Sequence, residues 1–460
     1  MPEFSSEAAV LDLPRLRAAF DGRVIAPGDP GYDQARALFY GGWDRRPGAI
    51  VRPSNAAEVA QVVTMAHDLG LELAVRGGAH SNAGHSTTEG GIVLDLSGMT
   101  ALDIDAEGRS AWAEGGLTAG AYTAAAGAHG LATGFGDTGS VGIGGITLGG
   151  GIGFLVRKFG LTIDSLLAAE LVTADGQVLE VDDDHHPDLF WAIRGGGGNF
   201  GVATRLKFRL HPLDGIVGGM LLLPATTEVI AGYVAAAEAA PEELSGIANV
   251  MVAPPLPFIP AAQHGQLVVL ALLAYAGDAE AGERALAPFR ALADPIADML
   301  APMSYPEMFP PDEEEYHPTA VGTTMFVDTV DREVAGTILR HLEASDAAIR
   351  AAQLRVLGGA MARVPAEATA FAHRHSRIMV NLAAFYDGPA DKAGRQAWVD
   401  DFAAALRQGD PGAYVNFLAD EGPEAVRRAY PGPTWDRLVE VKRRYDPDNL
   451  FRLNQNIPPS

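Results

Sequence analysis

Apolar and polar positions alternate along this chain with two periods, and the exchange between them outlines its elements. AIVRPS (Ala49 to Ser54) reads as a strand, AAEVAQVVTMAHDLG as an amphipathic helix, and LELAVRGG and GIVLDLS as further strands. Up to about Leu210 the pattern is mixed α/β and rich in glycine. After His211-Pro212 glycine thins out. The strands GGMLLLP, QLVVLALLAY, GTTMFVDTV, LRVLGGA and RIMVNLAAFY then carry the helices TTEVIAGYVAAAEAA, DAEAGERALAPFRALA and REVAGTILRHLEAS. Their apolar residues suit one face of an antiparallel sheet. From Ala413 the chain is dense in aromatic, Asn and Arg residues, which predicts a tail that returns to the first domain. The expected organisation is α+β, with domains 1–211 and 212–411 and a C-terminal segment 412–460.

Composition narrows the partners. The 460 residues are 48% hydrophobic, enough for two or three cores at a prior of ~150 residues per domain. The 58 acids against 34 Lys plus Arg give a net charge of -24, which repels nucleic acid and anionic membranes and leaves a small neutral or aromatic molecule as the expected partner. With no cysteine there is no disulfide, thiolate chemistry, Cys-ligated zinc or cysteinyl cofactor link. No metal site is predicted. The first residues carry acids and no signal-peptide core, so a cytoplasmic location is expected. The longest apolar runs, such as Leu267 to Tyr275, fall far short of the ~20 residues of a membrane span. The acidic stretch PPDEEEY (Pro310 to Tyr316) reads as a solvated face or a substrate gate.

Three glycine clusters carry the candidate chemistry: RGGAHSNAGHS (Arg76 to Ser86), GSVGIGGITLGGGIG (Gly139 to Gly153) and RGGGGNFG (Arg194 to Gly201). Glycine lets backbone N–H groups approach a ligand, which suits a dinucleotide pyrophosphate. Gly196, Gly198 and Gly201 match G-x-G-x-x-G, but a helix-like DLFWAIRG precedes them and a strand-like VATRLKFRL follows. That reverses the strand, loop, helix order of the nicotinamide fingerprint, which is therefore rejected.

VRPSNAAEVAQVV, RGGAHS, GGITLGGGIGFLVRKFGLTIDSLLAAELVTADG, DLFWAIRGGGGNFGV, YVNF and YDPDNLFRLNQNIPP together resemble the berberine bridge enzyme family of the vanillyl-alcohol oxidase or p-cresol methylhydroxylase (PCMH) superfamily. The resemblance covers almost the whole chain. It implies a two-domain PCMH-type FAD-binding fold, with a substrate domain built on an antiparallel sheet covered by helices. It also implies FAD bonded through its 8α carbon to His80, in a loop where Ala79 replaces the usual glycine. Thr138 stands where many members carry a second, cysteinyl link, so a single bond is expected. Arg76, Gly139 and Gly149 belong to the matching loops. Amides of Gly77, Gly78, Ala79, Gly142 and Gly145 are the implied pyrophosphate donors, with hydroxyls from Ser81 and Ser86. Gly201 and Val202 are expected at the adenine, and Asn416 beside the flavin.

The implied reaction takes a hydride from an alcohol, sugar or aromatic natural product and passes the electrons to molecular oxygen, releasing hydrogen peroxide; the alternatives are a dehydrogenase with another acceptor, or a non-catalytic flavin-binding protein. Val141 resembles the small gatekeeper of the oxidases. A base must take the substrate's O–H proton. Two familiar bases are replaced, by Phe417 and by Asn381, on a strand after the pair His373-Arg374. Tyr414 is the first expectation for that role, followed by His373, His375 and Tyr386. Oligomeric state is not readable from these residues.

Overall fold

The computed structural model describes residues 11–310 and 317–460. The N-terminal leader reading and most of the acidic PPDEEEY stretch fall outside the described residues. Three sheets organise the rest. Strands β1 (Val24–Ile25), β2 (Ala49–Val51), β3 (Leu73–Arg76) and β4 (Ile92–Asp95) stand in the order β1-β2-β4-β3, with β2, β4 and β3 parallel. Helix Ala56–Asp68 crosses from β2 to β3. Asn55 caps it by accepting from Glu58 N, and it buries Val59, Val62, Val63 and Ala66 at one-face spacing.

Strands β5 (Leu102–Asp105), β6 (Ser110–Glu114), β8 (Leu166–Val172), β9 (Val178–Val181) and β10 (Val202–Arg209) form an antiparallel sheet, β5-β6-β10-β8-β9. Strands β7 (Leu131–Ala132) and β11 (His211–Pro212) pair separately. The core of this region also takes in Ala413, Val415, Leu418, Tyr430, Leu438 and Ile457, so the C-terminal segment packs back onto the N-terminal lobe. Its anchor is wholly buried. Lys442 Nζ donates to Asn199 O (2.8 Å), Asp446 Oδ2 (2.6 Å) and Phe451 O (3.2 Å).

The third sheet is antiparallel and has eight strands: β12 (Ile216–Pro224), β13 (Leu244–Val252), β14 (Leu267–Tyr275), β15 (Ala297–Asp298), β16 (Ala301–Met303), β17 (Ala320–Val327), β18 (Arg350–Val356) and β19 (Ile378–Phe385). Their order is β15-β12-β14-β13-β18-β19-β17, with β16 also on β12. The expected strand LRVLGGA stops at Val356, because Gly358 (φ 108°) and Gly359 (φ 61°) turn the chain into a short helix, Ala360–Arg363. Helices Thr227–Ala239, Ala279–Arg290, Arg332–Ala344 and Pro389–Leu406 cover one face of this sheet. Against them pack Leu354, Val380, Leu382 and Met325. Strand alternation turns Gln353, Arg355 and Asn381 to the opposite face, toward the glycine loops of the N-terminal lobe. Arg374, buried, clamps the two lobes with a two-pronged ion pair to Asp164 (2.7 and 2.8 Å). No helix among the described residues is long and apolar enough to cross a membrane.

Candidate functional site

Between that sheet face and the glycine loops lies a cleft with about 1950 Å³ of empty space, counting its solvent-open mouth. Of the sequence-predicted residues, Gly77, Gly78, Ala79, His80, Ser81 and Ser86 line it from the first loop. Thr138, Val141, Gly142 and Gly145 line it from the second, Gly201 and Val202 from the third, and Asn381, Tyr414 and Asn416 from beyond the N-terminal lobe. Residues far apart in sequence thus line one cleft from opposite sides.

The first loop is built tightly. Gly78 and Gly142 pass so close that a side chain on either would enter the other's backbone. Ala79 holds φ at 60°, the left-handed region that glycine adopts without strain. His80 follows it, with its ring stacked on Phe39 (centroids 4.0 Å apart) and Nε2 2.9 Å from Ser140 Oγ. Behind the loop, buried Arg76 braces the backbone by donating to Ser86 O (3.1 Å) and to Ala35 O, so it supports the cleft without lining it.

Two glycines test whether a flat cofactor fits. Gly145 and Gly198 line the cleft, neither has a positive φ, and a Cβ on either would meet nothing within 4 Å. Neither conformation nor packing within the chain calls for glycine at these positions. Open space that any side chain would fill suits a ligand lying directly on the backbone. Two of the glycines expected at the cofactor, Gly139 and Gly149, do different work. Gly149 makes room for the Asn416 amide, and Gly139 O accepts from Gly120 N (2.8 Å); neither lines the cleft.

The candidate bases separate. Tyr414 is buried in the cleft wall, and its hydroxyl oxygen receives Gly151 N (3.0 Å), Ile152 N (3.3 Å) and Asn416 Nδ2 (2.9 Å). Three donors occupy the lone pairs a base would use, and burial raises the phenol's pKa, so the structure casts Tyr414 as a strut between the glycine turn and the C-terminal segment. His373 lies outside the cleft. Its Nε2 pairs with Ala429 O (3.0 Å), and burial lowers its pKa, because its loop packs on helix Pro423–Ala429. Tyr386 also lies outside, one residue past β19, with its ring in the core beneath the covering helices and its hydroxyl against Gly42. His375 is exposed.

Sequence reasoning missed Asp137, Gln353 and Arg355. Arg355 NH2 meets Asp137 Oδ2 at 2.5 Å and Gln353 Oε1 at 2.7 Å, its Nε also donates to Gln353 Oε1 (2.9 Å), and its NH1 donates to Ile152 O (3.2 Å). The guanidinium lies over the Phe417 ring, 5.1 Å from its centroid. Gln353 in turn donates to Asn249 Oδ1 (2.9 Å) and stands opposite Asn381 in the ladder.

The descriptions of known families agree with this construction. Residues 47–182 match the FAD binding domain family, and residues 413–458 match the family described as berberine and berberine like. The (R)-6-hydroxynicotine oxidase of Paenarthrobacter nicotinovorans is 34% identical over 96% of this chain and 97% of its own length. The chain belongs to the berberine bridge enzyme-like family of FAD-linked oxidoreductases. The xylooligosaccharide oxidase of Thermothelomyces thermophilus, another relative, is 27% identical over 90% of this chain and 88% of its own. Among solved structures, 6-hydroxy-D-nicotine oxidase from Arthrobacter nicotinovorans superposes with a TM-score of 0.85 at 30% identity, covering 95% of this chain and 98% of that one. BBE-like 1 from Physcomitrella patens reaches a TM-score of 0.86 at 23% identity, covering 97% and 99%, which speaks for the fold alone. The chain is thus an FAD-linked oxidoreductase of the two-domain PCMH type, with FAD as its cofactor.

Proposed function

We propose that this protein is an oxidase that holds FAD through a single bond to His80 and oxidises a small alcohol, sugar or aromatic natural product. The observation that carries this reading is the place of His80: it stands on the wall of the one cleft that also contains the open-faced glycines Gly145 and Gly198. Bound FAD supplies a two-electron acceptor, tethered so that it cannot leave. The chain's own residues hold and orient. The Gly77–Ala79 turn brings backbone N–H groups to the cofactor, Ser140 fixes the His80 ring, and Phe417 and Asn381 face the substrate space. The substrate loses a hydride from carbon and a proton from oxygen, and molecular oxygen takes up two electrons and two protons to become hydrogen peroxide. The oxidase names of the relatives support oxygen as acceptor.

The test is oxygen uptake with coupled peroxide detection across a panel of secondary alcohols, oligosaccharides and hydroxylated nitrogen heterocycles. Stoichiometric peroxide from any class supports the proposal. A flavin that these compounds bleach without air, and that air fails to recolour within the turnover time, makes the protein a dehydrogenase instead.

A further inference from the structure

Among the described residues that line the cleft, Asp137 and Arg355 are the ones that carry a carboxylate or a guanidinium, and they face each other. They come from different lobes: Asp137 from the turn leading into the second glycine loop, Arg355 from the middle of β18. The arginine side chain is 4% exposed and the aspartate side chain 23%. Arg355 is held from every side, by Gln353 on two nitrogens, by Ile152 O and by the Phe417 ring, so it does not swing away. Of its five N–H groups these bonds engage four, and one on NH1 remains for a ligand. Asp137 also accepts from Thr138 Oγ1 (3.3 Å), which orients it.

A fixed guanidinium in a partly desolvated cleft is a strong receptor for carboxylate or phosphate. Here a carboxylate of the chain itself already cancels it. We propose that the Asp137–Arg355 pair is the specificity element of this cleft, a masked anion receptor that reserves the site for uncharged substrates. An anionic substrate would meet the more exposed Asp137 carboxylate and be repelled, and a cationic one would find that carboxylate already neutralised by Arg355, whereas a neutral hydroxyl group finds both an acceptor and a donor. The inference rests on the reading that FAD and its substrate share this cleft.

The pair can be unmasked from either side. Asp137→Asn keeps the shape and an acceptor but removes the negative charge; Arg355→Gln removes the positive one. Flavin-loaded protein is titrated with three ring-matched probes, benzoate, benzyl alcohol and benzylamine, and binding is read by calorimetry and by the visible absorbance of the flavin. The expected result is that D137N binds benzoate about 10- to 100-fold more tightly than the wild-type protein, as one uncompensated charge-assisted hydrogen bond implies. The D137N/R355Q double variant loses that gain, R355Q shifts preference toward benzylammonium, and benzyl alcohol changes by less than about threefold throughout. Equal benzoate affinity in wild type and D137N overturns the proposal, as does a gain that survives the loss of Arg355. If D137N does not fold, the benzylammonium preference of R355Q decides the matter alone. Colourless wild-type protein would instead count against the cofactor reading, so the two failures are distinguishable.

Discussion

Lys442→Met severs the anchor that ties the C-terminal segment to the cleft. Its ammonium spends all three protons on Asn199 O, Asp446 Oδ2 and Phe451 O, and Asp446 also accepts from Leu450 N (2.8 Å) and Phe451 N (2.9 Å). Methionine fills the same volume but leaves Asp446 charged, wholly buried and without its cation, together with two carbonyls missing a donor. Breaking one side of such a pair costs about 3–5 kcal/mol. At ~2.1 cal/mol/K per residue the 460-residue chain has an unfolding entropy near ~1 kcal/mol/K, so Tm should fall by roughly 3–5 °C. Asn199 and Phe451 both line the cleft, so the variant should also retain less flavin per chain after desalting. The assay is differential scanning fluorimetry with flavin quantified in the same sample, on K442M, D446N and the double variant. The double variant should be less destabilised than the sum of the singles by ~1–3 kcal/mol. A fall in Tm below about 1 °C for K442M, or strict additivity, would refute the reasoning.

Gly145→Val should leave stability of the flavin-free chain within about 1 kcal/mol, since a side chain there meets no protein atom, yet cut flavin content by more than half, as the visible-to-ultraviolet absorbance ratio would show. Ala79→Gly should relieve a left-handed strain of roughly 1–2 kcal/mol, partly offset by ~0.5–1 kcal/mol of extra chain entropy, raising thermal stability slightly without loss of flavin; a clear drop in Tm would contradict that. Burial depresses His85 and His211 to about 4, so the folded state stays neutral while the unfolded chain takes up protons below about 6.5. Stability should therefore fall as pH drops from 6.5 toward 4, by up to ~3 kcal/mol per histidine, and His211→Gln should flatten the profile of urea midpoints over that window.

The sheets were legible because continuous apolar, β-branched-rich runs such as QLVVLALLAY are long enough for a strand and bounded by turn residues. The glycine loops were legible as a site because conformational need alone does not explain so many. Arg355 was within reach of the same logic: a charge between Leu354 and Val356 must face away from the apolar side of its strand, next to Gln353. Asp137 carried no local signal. It matters only because the fold brings β18 across from its turn, a juxtaposition between lobes that periodicity does not encode. Tyr386 continues the alternation of Val380, Leu382 and Ala384 onto the helix-covered face, opposite Asn381, so a phenol there packs in the core, and His373 lies in the loop before β19, where no alternation fixes its direction. For Tyr414 the residue type was right for a base, but the three donors that occupy its oxygen come from Gly151, Ile152 and Asn416, two of them far away in sequence.

The central claim is that one bond from His80 holds FAD in this cleft. Peptide mass mapping of acid-denatured protein tests it directly. The account predicts that the yellow colour stays with the precipitated chain, that the peptide containing His80 carries the added mass of FAD, and that His80→Ala folds but releases its flavin into the supernatant. Colour released from the wild-type protein, or the added mass on a peptide without His80, would contradict it.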